Sequence, residues 1–250
     1  MKNIAVITGA SSGMGKKIVE NLCESHARFD EIWLIARRVE PMKRLVEQYK
    51  NYKFKILALD LASKDAHVTY EEELIKERIH IKLLVNNAGL GKTGAFHKVD
   101  LDYHMNMIDV NISALTAITH ISLKHMKKGS RIINMASVAG FMPQPYFNVY
   151  AASKAYVVSF SRALRVELKE KGISVLTVCP GPVDTEFLHI SGPINSLKKG
   201  FFEDAHKVVQ KALRDLERDK DISICGYKMK LISFLVKLLP VGIVMKFIKE

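Results

Sequence analysis

Ile4-Ala5-Val6-Ile7-Thr8-Gly9-Ala10-Ser11-Ser12-Gly13-Met14-Gly15 decides the fold. An apolar run of strand length breaks into a glycine-rich turn, and a helical pattern starts at Met14. A strand this apolar is buried on both faces, as in a parallel sheet. The glycines permit a tight turn and close approach of a phosphate, and the N–H groups and dipole of the next helix favour that anion. Other readings compete. Gly9-Ala10-Ser11-Ser12-Gly13 matches the G-x-S-x-G elbow of hydrolases, but it follows the very first strand, with no sheet before it. A Walker A loop needs Gly at 10 and Ser or Thr at 17, where the chain has Ala10 and Lys17. A dinucleotide site fits best, and a purely structural glycine turn is the alternative.

The alternation continues outward from this turn. Apolar runs at 4–7, 32–35, 54–59, 83–85, 132–134 and 174–178, with a further one at 222–225, are separated by helical patterns at 14–25, 41–50, 63–79, 101–127, 150–171 and 200–218. This spacing predicts βαβ units with right-handed crossovers. The expected fold class is α/β: a single Rossmann-type doubly wound domain, with a seven-stranded, mostly parallel sheet and helices on both faces. No linker or internal repeat divides the 250 residues.

Composition narrows the function classes. With 48% apolar and 26% charged residues the chain can bury a core, which excludes a disordered or fibrous protein. Cys23, Cys179 and Cys225 lie far apart without a CxxC pair. They are too few for a disulfide framework and wrongly spaced for zinc, so no metal is expected and the compartment is a reducing one, the cytoplasm. The net charge of +12 would suit nucleic acid, anionic lipid or acidic partners. The lysines are spread rather than clustered, which favours a solvated basic surface and no nucleic-acid partner. The apolar start is too short for a signal-peptide core. Lys237, Pro240 and Lys246 interrupt the best membrane-spanning candidate, 231–248, so a soluble protein is expected.

The second strand region, Glu31 to Ile35, ends in Ala36-Arg37-Arg38, where a carboxylate would be expected to bind a ribose 2′-hydroxyl. Planar cations there suit a 2′-phosphate and favour NADP(H) over NAD(H); an ordinary basic loop is the alternative. Tyr150 and Lys154 stand at i, i+4 and share a helix face. A nearby ammonium lowers a phenol's pKa, and such a tyrosine can give or take the proton when hydride moves to or from a carbonyl carbon. Tyr49 and Lys53 have the same spacing in a polar stretch. Context favours Tyr150: Ser137 follows the strand at 132–134, at the carboxyl end where open α/β sheets place ligands. Its hydroxyl either binds a substrate carbonyl oxygen or caps a loop.

Across residues 3–226 the chain resembles a classical short-chain dehydrogenase/reductase. The resemblance rests on the turn from Thr8 to Gly15, on Asp60-Leu61, Asn86-Asn87-Ala88-Gly89 and Pro180-Gly181-Pro182-Val183-Asp184-Thr185, and on Asn111, Ser137, Tyr150 and Lys154 in the family's order and spacing. It implies that Gly9, Ser11, Ser12, Gly13, Met14, Gly15, Arg37, Arg38, Asp60, Leu61, Asn87, Ala88, Gly89, Pro180, Gly181, Val183 and Thr185 bind the cofactor, together with Tyr150 and Lys154. Tyr150 would be the general acid/base, Lys154 would lower its pKa and hold the nicotinamide ribose, and Ser137 would orient the carbonyl. Asn111 would fix a water linking Lys154 to solvent. Val183 and Thr185 would hold the carboxamide. Many NADP-using relatives carry a basic residue where this chain has Ser12, so the NADP(H) assignment rests on Arg37 and Arg38.

The resemblance also implies a substrate lid at 186–204, made apolar by Phe187, Leu188, Ile190, Ile194, Leu197, Phe201 and Phe202. The catalytic domain would run over 1–226, with an apolar, basic extension over 227–250 packed on it. In that extension Lys230, Ser233 and Lys237 are expected to share a narrow polar helix face. It is similar to the tails of members acting on hydrophobic ketones, and it could cover the body or a second subunit, roof an apolar pocket, or lie on a membrane surface. The expected activity is interconversion of a small hydrophobic ketone and its secondary alcohol, of hydroxysteroid type. A 3-oxoacyl-thioester reductase is the alternative enzyme, an NADP-binding sensor or scaffold the non-enzyme alternative, and a homodimer or homotetramer the expected assembly.

Overall fold

A computed structural model describes residues 1–192 and 202–247. The apolar runs become β1 (Lys2–Thr8), β2 (Glu31–Ala36), β3 (Phe54–Ala58), β4 (Ile79–Asn86), β5 (Arg131–Met135), β6 (Ser174–Val178) and β7 (Ile222–Ser223). They form one sheet in the order β3-β2-β1-β4-β5-β6-β7, every pairing parallel. Helices α1 (Gly13–Glu24), α2 (Val39–Gln48), α3 (Lys64–Ile75), α4 (Leu101–Ile108), α5 (Leu115–Leu123), α6 (Asn148–Leu168), α7 (Glu186–Ser191), α8 (Ala205–Glu217), α9 (Tyr227–Leu238) and α10 (Val241–Phe247) complete the described chain.

The period-two alternation of a strand sends β1 to both sides of the sheet. Ala5 and Ile7 join one core with Ile18, Leu22, Met42, Val209 and Leu216, beneath α1, α2 and α8. Ile4 and Val6 join the other with Tyr70, Leu74, Ile118 and Leu164, beneath α3, α5 and α6. Each fully buried Ile, Leu, Val or Met among them contributes about 1.5–3 kcal/mol. β1 and β4 lie side by side where the strand order reverses, and the crevice beyond their carboxyl ends is where this fold binds ligands.

Several elements differ from the sequence expectation. β4 starts at Ile79 rather than 83, because His80 is buried with its ring nitrogens 2.9 and 3.0 Å from Asn3 Oδ1 and Ser130 Oγ. The helix expected over 63–79 therefore stops at Ile75. The one expected over 101–127 is interrupted by a π-helical turn, Asp109–Ala114. β7 ends at Ser223 instead of 225, just before Gly226 turns the chain at φ +71°. In α9, Ser233 is buried and donates to the Met229 carbonyl at 2.7 Å. Of the polar face expected at Lys230, Ser233 and Lys237, Lys230 is exposed but Ser233 turns inward with Met229, and the Lys237 side chain lies outside what the structure describes; Tyr227, Leu231, Phe234 and Leu238 are exposed. Of the lid residues, Ile194, Leu197 and Phe201 lie outside the described residues.

Candidate active site

The turn after β1 is tied to the end of β4. Thr8 Oγ1 accepts from the backbone N–H groups of Asn87 and Ala88 at 2.9 and 3.0 Å, and Asn87 Nδ2 donates to the carbonyls of Thr8 and Gly9 at 3.0 and 3.2 Å. Gly9 sits at φ +65°, and a side chain on Gly15 would start 2.2 Å from the Gly9 carbonyl oxygen. Only glycine fits either position. Ser12 precedes α1 without capping it through its side chain, which leaves the first-turn N–H groups of α1 directed at the crevice. An uncapped helix start behind a turn that no side chain can fill is the cradle a dinucleotide pyrophosphate requires. The residues fit the group.

Other expected cofactor residues border this turn. Thr185 stands 3.5 Å from the point where a Gly13 side chain would begin. Val183 is buried, its carbonyl accepts from Thr185 Oγ1 at 3.4 Å, and the Pro180 carbonyl accepts from the Val138 N–H at 3.0 Å. Arg37 lies 3.9 Å from Asp60, and both are exposed. Asp60 Oδ1 also accepts from the Ala62 N–H at 3.2 Å. Leu61 is a core residue in the cluster of Ala66 and Tyr70.

Asn111, Ser137, Tyr150 and Lys154 are all buried and converge beside Gly89 and Gly91. The π-helical turn brings Asn111 inward, a local distortion frequent at functional sites. Asn111 Oδ1 accepts from the Leu90 N–H at 2.8 Å, and its Nδ2 donates to the Leu90 carbonyl and to Ser153 Oγ, each at 2.9 Å. Ser153 Oγ donates in turn to the Tyr150 carbonyl at 2.7 Å. Asn111 therefore joins the strand-end loop to the helix that carries Tyr150 and Lys154. Ser137 Oγ accepts from the Ala139 N–H at 3.1 Å and shares a hydrogen bond with the Tyr150 phenol, so it both caps its loop and faces the site. Tyr49 and Lys53, the competing pair, share no helix: α2 ends at Gln48, and the Tyr49 hydroxyl donates to Glu24 at 3.1 Å.

The electrostatics depart from expectation in one respect. Burial pushes the Tyr150 phenol up to about 12, with the Ser137 hydrogen bond working against it. Burial likewise brings the Lys154 ammonium down to about 8. Burial, not Lys154, dominates the phenol here: the Lys154 Nζ donates to the Met135 carbonyl at 2.8 Å and stands 5.7 Å from the centroid of the Tyr150 ring. The phenol is therefore protonated at neutral pH, ready to donate.

Residues outside the expected catalytic and cofactor-binding sets shape the surroundings. Phe147 stacks on Tyr150 with ring centroids 4.3 Å apart, and Phe187 of α7 lies tilted by 43° to the same ring at 5.5 Å. A side chain on Gly91 would start 2.6 Å from Phe187 and 3.1 Å from Phe147, so these rings close on a backbone position that must stay bare. Asn86 donates to Thr119 Oγ1 and Asn134 Oδ1, both at 2.8 Å, holding β4, β5 and α5 together behind the site. Phe147 carried no signal, since its role depends on the turn before α6. Beyond the turn, α9 sets Met229 against Gly181, where a side chain would start 2.9 Å away.

Residues 3–193 match the family model described as short chain dehydrogenase. The chain is 36% identical over 193 residues to sulfoacetaldehyde reductase 2 of Chromohalobacter salexigens, covering 75% of each protein. It is 32% identical over 188 residues to an 11-beta-hydroxysteroid dehydrogenase of Pinus massoniana, covering 73% of this chain and 52% of that one, so it spans about half of that relative. In fold it is similar to a short-chain dehydrogenase from Sphingobium yanoikuyae in complex with NADPH, with a TM-score of 0.81 at 24% identity over 100% of this chain and 97% of the other.

Proposed function

The chain belongs to the short-chain dehydrogenase family, oxidoreductases that act on alcohol and carbonyl groups with a nicotinamide cofactor, and from that premise we propose an NADP(H)-dependent enzyme interconverting hydrophobic ketones and secondary alcohols of hydroxysteroid type. The observation that carries this reading is Tyr150: a buried, protonated phenol, bonded to the Ser137 hydroxyl and walled by Phe147 and Phe187. The similarity to an 11-beta-hydroxysteroid dehydrogenase supports the substrate class.

The bound cofactor supplies or accepts the hydride. The turn from Gly9 to Gly15 would hold its pyrophosphate, Arg37 and Arg38 its 2′-phosphate, and Asp60 and Leu61 its adenine side. Asn87, Ala88, Gly89, Pro180, Gly181, Val183 and Thr185 would line the nicotinamide side. Ser137 donates to the substrate carbonyl oxygen and orients it, and Tyr150 delivers the proton to that oxygen. Lys154 places positive charge beside the phenolate that forms. Asn111 keeps the Leu90 backbone and Ser153 in register with Tyr150. The aromatic wall excludes water and takes the apolar body of the substrate.

We assign residues 1–226 to the catalytic domain, including the lid at 186–204, and 227–250 to an extension that packs on it through Met229, Ser233 and Val244. The exposed apolar face of α9 lies in a stretch, 222–249, with five lysines and no acidic residue, which suits peripheral contact with an anionic membrane surface. We expect a cytoplasmic homo-oligomer.

A homologous series of alkyl ketones tests the substrate class. With NADPH, kcat/KM should rise up to about fourfold for each added methylene, the equivalent of about 0.8 kcal/mol, until the pocket is filled. A flat series would contradict an apolar substrate.

A further inference from the structure

Arg38 is already engaged. Its two Nη groups donate to both carboxylate oxygens of Glu186 at 2.6 and 2.7 Å, and the Ser12 hydroxyl bonds the same carboxylate. The three residues come from the start of α1, the loop after β2 and the first turn of α7. Next to them Thr185 rests on Gly13. At the far end of α7 the Ser191 carbonyl accepts from Thr93 N–H and Thr93 Oγ1 at 2.7 and 2.9 Å. The first helix of the lid is therefore pinned at both ends, and one pin is a bidentate ion pair.

A carboxylate that takes both Nη groups of a guanidinium and a serine hydroxyl beside them uses the groups that a phosphate monoester would use. We propose that Glu186 is a specificity-determining residue for the cofactor, an internal anion that holds Arg38 and Ser12 until the 2′-phosphate of NADP(H) displaces it. This rests on the NADP(H) reading above and deepens it. NADH has no group that competes for Arg38, so it leaves the pair intact. NADPH must break the pair, and in doing so releases the front of α7 from the glycine turn. The pair is made to be broken: the side chains are 50% and 40% exposed, where ion pairs are weak. The competition also costs NADPH affinity, since only the fraction of molecules with Arg38 released can bind its phosphate.

Calorimetric titration of the full chain and of E186Q with NADPH and with NADH tests this. E186Q should bind NADPH about two- to fivefold more tightly and NADH unchanged. E186D, which keeps the charge but shortens the reach, should fall between wild type and E186Q for NADPH. Adding R38A to E186Q should erase the gain. Wild-type preference for NADPH that E186Q leaves unaltered or weakens overturns the latch alone. Equal wild-type affinity for the two cofactors overturns the NADP(H) reading, and the latch with it.

Discussion

Tyr150 gives up its proton in surroundings that oppose ionisation, so it acts as a donor only when charge on the substrate oxygen draws the proton away. Tyr150→Phe keeps the ring stacked on Phe147 and removes the proton. It should lower kcat for ketone reduction by at least about a hundredfold while leaving the Kd for NADPH within about twofold; retained turnover would exclude the mechanism. The depressed Lys154 sets the pH dependence. Its ammonium is present below about 8 and lost above it, while the phenol stays protonated to about 12, so reduction should hold steady below pH 8 and fall as pH rises through it. A Lys154→Arg variant, which cannot deprotonate in this range, should lack that falling limb whatever its absolute rate. At this scale the i, i+4 pair and the arginines after β2 were legible because each is a local pattern. Glu186 was not, because its partner lies 148 residues away and nothing near Thr185 marks it.

Among the elements, the glycine turn and the β7 edge carry distinct predictions. Gly15→Ala would place a methyl 2.2 Å from the Gly9 carbonyl and 2.5 Å from Asn87 Nδ2. It should weaken NADPH binding at least about tenfold and cost about 1–3 kcal/mol of stability, read by titration and chemical denaturation. Asp215 of α8 is buried and pushed up by that burial. Hydrogen bonds from Lys211, Lys220 and Ser223 outweigh it and hold the carboxyl at about 2. A carboxyl whose pKa falls on folding stabilises the protein above its unfolded pKa, near 3.9, and loses that contribution as pH falls through the folded value. Asp215→Asn should therefore cost on the order of 2 kcal/mol at pH 7, with the difference from wild type shrinking below about pH 4 and closed by about pH 2. The strands were legible because parallel strands are continuously apolar. The first half of β4 was hidden by His80 and Lys82, and the π-helical turn at Asn111 has no sequence period to betray it.

For the molecule as a whole, the fold was readable from strand–helix alternation alone, since a parallel sheet admits few arrangements once its order of elements is known. The tail was half readable: its apolar and basic composition was plain, but which face it buries depends on Met229 meeting Gly181 and on Ser233 turning inward. Vesicle flotation tests the outward face. The full chain should float with vesicles rich in phosphatidylserine, and Leu231→Glu with Phe234→Glu should prevent it; wild-type protein that stays in the soluble fraction would contradict membrane contact. Among the described residues no helix is long and apolar enough to cross a membrane.

The most direct measurement is the consumption of NADPH and of NADH by the purified protein across a panel of steroid, acyl-thioester and small aliphatic ketones. NADPH should be consumed in preference to NADH, and fastest with the steroid ketones. Tight binding of NADPH without turnover of any ketone in the panel would contradict the account.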